Sequence, residues 1–407
     1  MGYKKDAIKG LSWMSGFRGV TRFLAFVKTA VLARVLSPSQ FGIFGIASLI
    51  LTLLEILTET GINVLLVQSK REISEYINSA WAVSIIRGIA ISFLIIISAP
   101  FIASFFHTPS SLGILFFISL VPFVRGFINP AEASYQKELR FASEFRLRTS
   151  IFFIDACVSI ILSVLTHSVY GLVWGLLAGA VFEVTLSFIL FDLKPRFSLQ
   201  KSYFNEIFHK GKWITAYGIF NYIAENGDNI IVGRVMGASS LGLYQVAYKI
   251  SILPMSEISD VVSRVVFPVY TKIVGEKRRL LAAFLQTSAY TFVAALVVGL
   301  VIFFFPKEII LTLLGSQWLS AVPALKVLAA YGVLRTVSGP ASALFLALEK
   351  QNYVTAMTFL RFTGLTLTIY PLVSRFGLIG AGYSALFSVV VEIPMIIYFI
   401  ITLFKKN

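Results

Sequence analysis

Charged residues recur at helical spacing inside apolar stretches of this sequence. Glu257, Asp260 and Arg264 stand at positions i, i+3 and i+7 of one such stretch, so they share one face of a helix. Glu55 and Glu59, at positions i and i+4 of another stretch, also share one face of a helix. A guanidinium group binds phosphate or carboxylate through two hydrogen bonds, and a desolvated carboxylate can take up a proton or a sodium ion. The arginines could therefore bind an anion, and the carboxylates could couple a reaction or transport to protons or sodium ions.

Two sets of candidate site residues follow from these charges. The arginines that could bind a phosphate or an acidic sugar are Arg18, Arg22, Arg125, Arg264 and Arg335. The carboxylates that could couple transport to protons or sodium ions are Glu55, Glu59, Asp228 and Asp260. At sequence level both sets could instead pair with each other, because a salt bridge between helices also offsets the cost of burying charge.

Composition identifies the elements that carry these charges. Of the 407 residues, 57% are hydrophobic and 14% are charged, and the mean hydropathy is +0.83. Such values predict an all-α polytopic membrane protein rather than soluble domains. Because a span takes roughly 20 apolar residues, about 12 transmembrane helices fit the chain. The predicted spans lie near 11–35, 42–67, 80–105, 112–129, 150–168, 171–192, 213–236, 241–269, 283–305, 321–347, 352–373 and 378–403.

Loops at alternate ends of these spans differ in charge. One side carries 21 lysines and arginines and the other side carries 4, which predicts that the first side and both termini face the cytoplasm. We expect a multi-pass protein of the plasma (inner) membrane whose basic N-terminus is retained. Because the net charge of +15 is concentrated in these loops, it indicates membrane orientation and not nucleic-acid binding.

The sequence contains an internal repeat. An offset of 200 residues aligns 31–47 with 231–247, and an offset of 210 aligns Arg125 with Arg335. Six spans per repeat is an even number, so we expect two parallel six-helix lobes around a central cavity. The predicted lobes are 1–193 and 213–407, joined by a basic cytoplasmic loop at 194–212.

Corresponding turns in the two repeats, at 32–42 and 232–242, are predicted to be tight hairpins that face outward. The serines and glycines in these turns are typical of helix caps and close packing. Direct contact with a substrate is the other interpretation of the same residues.

Catalytic and metal chemistry has little support in the sequence. His107, His167 and His209 lie at predicted loop edges without the spacing of metal ligands, and Cys157 is the single cysteine. The sequence has neither a phosphate-binding glycine loop nor a nucleophile motif. We therefore expect no enzymatic activity, no cofactor and no metal.

Several motifs resemble the polysaccharide exporter family, the Wzx-type flippases of the multidrug/oligosaccharidyl-lipid/polysaccharide superfamily. They are residues 226–250 (NGDNIIVGRVMGASSLGLYQVAYKI), 32–42 (LARVLSPSQFG), 262–270 (VSRVVFPVY), 136–141 (QKELRF) and 315–318 (GSQW). The similarity covers the whole chain. Members of that family usually have fourteen spans, whereas twelve are predicted here.

The resemblance implies a V-shaped bundle that moves undecaprenyl-diphosphate-linked oligosaccharide from the cytoplasmic to the outer leaflet by alternating access. It implies lipid-linked oligosaccharide, membrane lipid and either H⁺ or Na⁺ as partners, with polysaccharide polymerase and assembly proteins as further candidates. The alternative is a cation-coupled multidrug exporter, whose cavity we expect to be acidic and aromatic. A non-transporting scaffold for glycan synthesis is a third class, but it leaves the intramembrane charges without a role.

Overall fold

The protein is built from α-helices. The structure, a computed structural model, describes residues 2–58, 66, 72–198 and 201–405, with side chains except at 2–18, 201–214 and 216–217. No β-strand occurs among these residues. The elements are α1 (Gly2–Val35), α2 (Pro38–Leu57), α3 (Ile73–Phe105), α4 (Ser111–Ile118), α5 (Leu120–Arg125), the 3-10 helix η1 (Pro130–Glu132), α6 (Ala133–Lys137), α7 (Phe141–Thr166), α8 (Tyr170–Leu190), α9 (Lys201–Lys272), α10 (Lys277–Phe304), α11 (Pro306–Leu313), the 3-10 helix η2 (Ser316–Ala321), α12 (Val322–Arg335), α13 (Ser338–Ala347) and α14 (Gln351–Lys405).

Eight helical segments in the described residues are long and apolar enough to cross a membrane. The bent pair 111–125 and 130–137, with an angle of 68°, makes a ninth. Two of the eight segments are 55 residues long, and they contain non-helical glycines, Gly237 and Gly377. A 55-residue helix is about 80 Å long, more than twice the thickness of the hydrocarbon core, so each segment supplies two spans.

The eight segments, two of which supply two spans each, give ten spans among the described residues. The bent pair and α1, which has 34 residues, bring the number to twelve. These spans correspond one to one with the twelve predicted segments. The predicted fold class, an all-α polytopic membrane protein, is confirmed, and the chain is a multi-pass membrane protein.

The helices cluster into two compact units, residues 1–226 and 227–407. In the first unit α7 packs along both α8 and α1, and α3 packs on α5. In the second unit α12 packs along α14 and α10. Helix α9 begins at Lys201, inside the segment 194–212 that the sequence predicts as a connecting loop. The role of this segment as the connection between lobes stays a prediction.

The contact between α7 and α8 depends on small residues. Gly171, Gly175 and Gly179 recur every four residues of α8 and face α7. A Cβ atom on Gly175 would lie 2.5 Å from the backbone oxygen of Asp155, closer than van der Waals contact allows. Glycine at these positions lets the two backbones approach, as in other membrane helix pairs.

Backbone geometry supports the internal repeat at an offset of 210 residues. Leu139 and Glu349 both adopt the left-handed conformation, with φ of 57°. In each case the next amide N–H donates to the carbonyl five residues earlier, at 2.7 Å for Arg140 and 2.8 Å for Lys350. These bonds satisfy carbonyl groups at the end of a helix. The two units therefore share the same helix-terminating motif in the same register.

The predicted turns are present in both units. In the first, Ser37 Oγ accepts from the Gln40 N–H at 3.3 Å, and Gln40 Oε1 accepts from the Ser37 N–H at 2.9 Å. This reciprocal arrangement is a capping box, so the prediction that serine caps the following helix is confirmed there. In the second, Gly237 interrupts α9 with a φ of 79°. The outward orientation of both turns stays a prediction.

Candidate functional site

A polar cavity of about 420 Å³ lies inside the first unit. It is bordered by α2, α3, α5, α7, α8 and the segment from η1 to α6. The charged side chains in its wall are Glu55, Arg87, Arg125, Glu132, Glu144, Arg148 and Glu183. So many charges around a space between apolar helices indicate a hydrated cavity, because charge is not tolerated against lipid.

Arg125 and Glu55, one from each predicted set, are brought together in this cavity. Arg125 is the last residue of α5, and its Nη1 lies 3.3 Å from Glu55 Oε1 on α2. The partial negative charge at the end of a helix favours a cation at this position. The salt bridge that the sequence left as an alternative is therefore formed for this pair.

Arg87 reaches the cavity from α3 and serves as a cap for α2. Its Nη2 donates to the backbone oxygen of Glu55 at 2.6 Å, and its Nε donates to Thr58 Oγ1 at 3.3 Å. A cationic donor at a helix C-terminus satisfies carbonyl groups that have no partner within the helix. This contact holds Glu55 in place beside Arg125.

Arg148, another arginine of the cavity wall, joins two buried glutamates. It forms an ion pair with Glu183 on α8 and lies 3.3 Å from Glu132 Oε2 at the end of η1. Glu144, one turn before Arg148 on α7, accepts a hydrogen bond from Gln136 Nε2 at 2.6 Å. Arg148 thus pairs with two carboxylates, and Glu144 adds a third carboxylate to the same cavity wall.

In the second unit, Asp228 and Arg335 belong to one cluster of polar side chains. The Asp228 carboxylate is 4% exposed and accepts from Tyr244 Oη at 2.8 Å and from the Asn229 N–H at 2.7 Å. Arg335 Nη1 donates to Tyr248 Oη at 3.2 Å, and the Tyr244 and Tyr248 rings are 6.0 Å apart.

The guanidinium of Arg335 also donates to Tyr331 Oη at 3.0 Å and lies 5.8 Å from the centre of the Tyr331 ring. A cation over an aromatic face is favourable where water is excluded. Arg335 ends α12 as Arg125 ends α5. The repeat therefore places an arginine at the same helix end in each unit, with a carboxylate partner in the first and tyrosine partners in the second.

The remaining predicted residues are not brought together. Arg264 and Asp260 are exposed on α9, and neither forms an ion pair with another residue that the structure describes. Arg22 is half-buried on α1. The side chain of Arg18 and the whole of Glu59 lie outside the described residues. Among the described residues, no group of three His, Cys, Asp or Glu side chains is arranged to hold a metal ion.

The sequence analysis did not predict two residues of the cavity wall, Arg148 and Glu132. Arg148 was expected in a cytoplasmic loop, because the apolar run begins only near residue 150, but α7 starts nine residues earlier, at Phe141. Glu132 belongs to the short 3-10 turn between α5 and α6, within a segment that carries no periodic signal. A search for arginines one or two turns before an apolar run would have found Arg148.

Comparisons with known proteins give the family and the fold. The family described as "Polysaccharide biosynthesis protein" matches residues 31–323. The lipopolysaccharide biosynthesis protein WzxC of Escherichia coli (strain K12) is 24% identical over 360 residues, which cover 85% of this chain and 71% of that protein. These matches span both units.

Two solved structures share the fold. The lipid II flippase MurJ in an inward closed conformation aligns with a TM-score of 0.76 at 13% identity, covering 94% of this chain and 86% of MurJ. An inward-facing multidrug resistance transporter of the MATE family aligns with a TM-score of 0.69 at 16% identity, covering 95% and 96%. Because a lipid flippase and a drug exporter share it, the fold alone does not separate the two functions. The family match, which covers more than half of the sequence, separates them, and this chain belongs to the polysaccharide biosynthesis protein family.

Proposed function

We propose that this protein translocates undecaprenyl-diphosphate-linked oligosaccharide across the cytoplasmic membrane by alternating access, as a step in the synthesis of cell-surface polysaccharide. The observation that carries the proposal is the family match over residues 31–323. The described residues form a multi-pass bundle of apolar helices, and transport is a role that this architecture suits. The protein is accordingly a transporter and not an enzyme.

The five arginines are proposed to hold the diphosphate or acidic sugars while the lipid tail stays in the bilayer. Arg264 is exposed, so it can accept a phosphate without giving up an ion pair to a described residue. Arg125 and Arg335 already have partners, and a phosphate there would have to exchange with Glu55 or with tyrosine hydroxyls. Arg18 and Arg22 complete the proposed set.

Ion coupling is proposed for Glu55, Glu59, Asp228 and Asp260, with H⁺ or Na⁺ as the driving ion. Asp228 is the most enclosed of those that the structure describes, and its partners are neutral hydrogen-bond donors rather than cations. A carboxylate held in this way can bind and release a small cation without breaking a salt bridge. Glu55 differs, because it is paired with Arg125.

The proposed location is the inner membrane, with both termini and the 194–212 segment in the cytoplasm. The charge difference between alternate loops supports this orientation. A polysaccharide polymerase and assembly proteins are the partners that such a transporter would supply with repeat units.

Cation-coupled export of small molecules is the second candidate function. The buried carboxylate of Asp228 favours it. The cavity of the first unit combines three arginines with four glutamates, whereas an acidic and aromatic cavity is expected for such an exporter.

A gene deletion in the native host separates these functions. We expect the deletion strain to lose a surface polysaccharide and to accumulate the lipid-linked precursor, and a plasmid copy of this chain to reverse both changes. Normal surface polysaccharide combined with increased sensitivity to cationic drugs would contradict the proposal and favour the second candidate.

A further inference from the structure

We propose that Asp228 is a proton site and not a sodium site, and that Tyr244 positions its carboxylate and accepts a hydrogen bond from the bound proton. The assignment rests on the proposed function, in which Asp228 is one of four carboxylates that could couple transport to H⁺ or Na⁺. Both residues belong to α9. Tyr244 is a positioning residue because it acts through Asp228.

Asp228 differs from the other buried carboxylates in having neutral partners. Four acidic residues are buried among those that the structure describes. Three of them form ion pairs with a lysine or an arginine, namely Asp155 with Lys28, Glu183 with Arg148 and Glu392 with Arg361. The Asp228 carboxylate instead accepts hydrogen bonds from Tyr244 and Asn229. A carboxylate buried without a cation is costly in its ionised form, and a bound proton removes that charge.

The internal repeat supports the same distinction. The offset of 200 residues that aligns 31–47 with 231–247 also places Lys28 opposite Asp228. Lys28 Nζ lies 2.8 Å from Asp155 Oδ2, so the first unit carries a permanent positive charge on its buried carboxylate at this position. The second unit has a carboxylate at the aligned position, and its hydrogen-bond partners are neutral. A cation that comes and goes therefore suits the second unit.

The hydrogen bond from Tyr244 suits a proton. Tyr244 is fully buried, and its Oη donates to Asp228 Oδ2 at 2.8 Å. A tyrosine hydroxyl can either donate or accept a hydrogen bond. When Oδ2 takes up a proton, the new O–H group donates to Tyr244 Oη, and the tyrosine hydrogen turns away while it stays on its own oxygen. Proton uptake and release therefore require no movement of a heavy atom.

The other groups that contact the carboxylate do not suit a metal cation. Asp228 Oδ1 accepts from the backbone N–H of Asn229 at 2.7 Å and from its Nδ2 at 3.0 Å. These nitrogens are donors and cannot act as ligands. Hard metal cations need several oxygen ligands at once, and no three His, Cys, Asp or Glu side chains in the described part of the chain could hold one. Sodium would have to break hydrogen bonds that a proton leaves intact.

Arg335 and two further tyrosines complete the surroundings of Asp228. Arg335 Nη1 donates to Tyr248 Oη at 3.2 Å and to Tyr331 Oη at 3.0 Å. With Tyr244, these are the charged and titratable groups that act on Asp228 from α9 and α12. None of them has a carboxyl group, so a carboxyl signal from this cluster belongs to Asp228 alone.

Infrared difference spectra of the purified full-length chain in detergent, without lipid-linked substrate, test the assignment. The C=O stretching band of a protonated carboxyl group is followed as a function of pH, in sodium chloride and in choline chloride at equal concentration. The variants are Asp228→Asn and Tyr244→Phe. The matched controls are Glu276→Gln, at an exposed carboxylate paired with Arg279, and Tyr290→Phe, at an exposed tyrosine.

We expect a carboxyl band that grows as the pH falls, is the same in both salts and is lost in Asp228→Asn. In Tyr244→Phe the midpoint of this band should move to higher pH by about one unit, because the lost hydrogen bond is stronger to the ionised carboxylate than to the neutral acid. Both controls should match the unaltered protein. If Asp228→Asn does not fold, the shift in Tyr244→Phe assigns the band, and if neither variant folds, the comparison of the two salts decides.

Loss of the band when sodium replaces choline at constant pH would show a sodium site and overturn the assignment. A band that persists in folded Asp228→Asn, or the lack of a pH-dependent band in the unaltered protein, would also overturn it. An unchanged midpoint in Tyr244→Phe would remove Tyr244 as a positioning residue. A proton site without glycan translocation would refute the proposed function and keep this site, whereas translocation driven by a sodium gradient at constant pH would do the reverse.

Discussion

Several charged side chains within the helices of this protein form ion pairs with a neighbouring helix. Lys28 Nζ lies 2.8 Å from Asp155 Oδ2, and Arg361 Nη1 lies 3.5 Å from Glu392 Oε2. Replacing one member of a buried pair leaves the other charge uncompensated and is strongly destabilising. A substitution at a paired residue therefore tests folding as well as transport, whereas Arg264 is a cleaner probe of substrate binding.

Arg264 should be needed for transport and not for folding. If its guanidinium binds a phosphate through two hydrogen bonds, lysine keeps the charge but loses the planar geometry. We expect Arg264→Ala to reduce glycan export at least tenfold and Arg264→Lys to reduce it less. Export is measured per amount of membrane-inserted protein, with Arg279→Ala as the control. Full export by Arg264→Ala would remove this residue from the substrate site.

The second prediction at the scale of single residues concerns the four carboxylates proposed to couple transport to an ion. Asp228→Asn should abolish the dependence of transport on an imposed proton or sodium gradient, because the amide cannot bind either cation in the same way. Glu55→Gln, Glu59→Gln and Asp260→Asn are measured in the same vesicles. Normal rate and gradient dependence in all four variants would make these carboxylates purely structural.

At the scale of elements, helices α7 and α8 of the first unit pack closely along each other. The glycine spacing of α8 creates a groove that Ser159 and Ser163 of α7 enter. The cavity of the first unit has walls on both helices, through Arg148 and Glu183. Close packing of the two helices therefore sets the width of the cavity.

Gly175→Ala tests this packing. The added Cβ atom would collide with Ser159 and with the backbone of Asp155, so we expect a loss of about 1 to 3 kcal/mol of stability and a lower unfolding midpoint in detergent. Gly227→Ala is the matched control, because a Cβ atom there meets no described atom within 4 Å. An unchanged midpoint for Gly175→Ala would show that the two helices can separate at little cost.

Helix ends show where prediction from sequence succeeds and where it stops. The turn before Pro38 is predicted correctly, because serine and proline at a helix start have a known physical role. The turns at Leu139 and Glu349 carry no such signal, since leucine and glutamate rarely adopt positive φ. Their conformation is imposed by the helix-terminating hydrogen bonds and not by their own preferences.

At the scale of the whole molecule, the sequence predicts the spans and the repeat but not which charges meet. Hydrophobic runs determine the spans, because the bilayer requires them. The partners of Arg125 and Arg148 depend on how helices rotate and bend, including the 68° bend between 111–125 and 130–137. That geometry arises from packing and leaves no periodic pattern in the sequence.

Topology is the first prediction at this scale. Single cysteines in a Cys157→Ala background should be protected from an impermeant thiol reagent in intact cells at Glu138, Asn205 and Glu276. Those at Ser39, Ser239 and Ser316 should be labelled. We expect this difference because the loops on the first side carry 21 lysines and arginines and those on the other side carry 4. Labelling of position 205 from outside would reverse the orientation.

The central claim is that this chain moves a lipid-linked glycan between leaflets. The direct measurement uses vesicles that contain fluorescent undecaprenyl-diphosphate oligosaccharide, with and without the purified chain, and an impermeant reagent that reports the outer leaflet. We predict rapid exchange between leaflets only in vesicles with the chain, and its loss with Arg264→Ala. Exchange no faster than in protein-free vesicles, in a preparation that transports a cationic drug, would contradict the account.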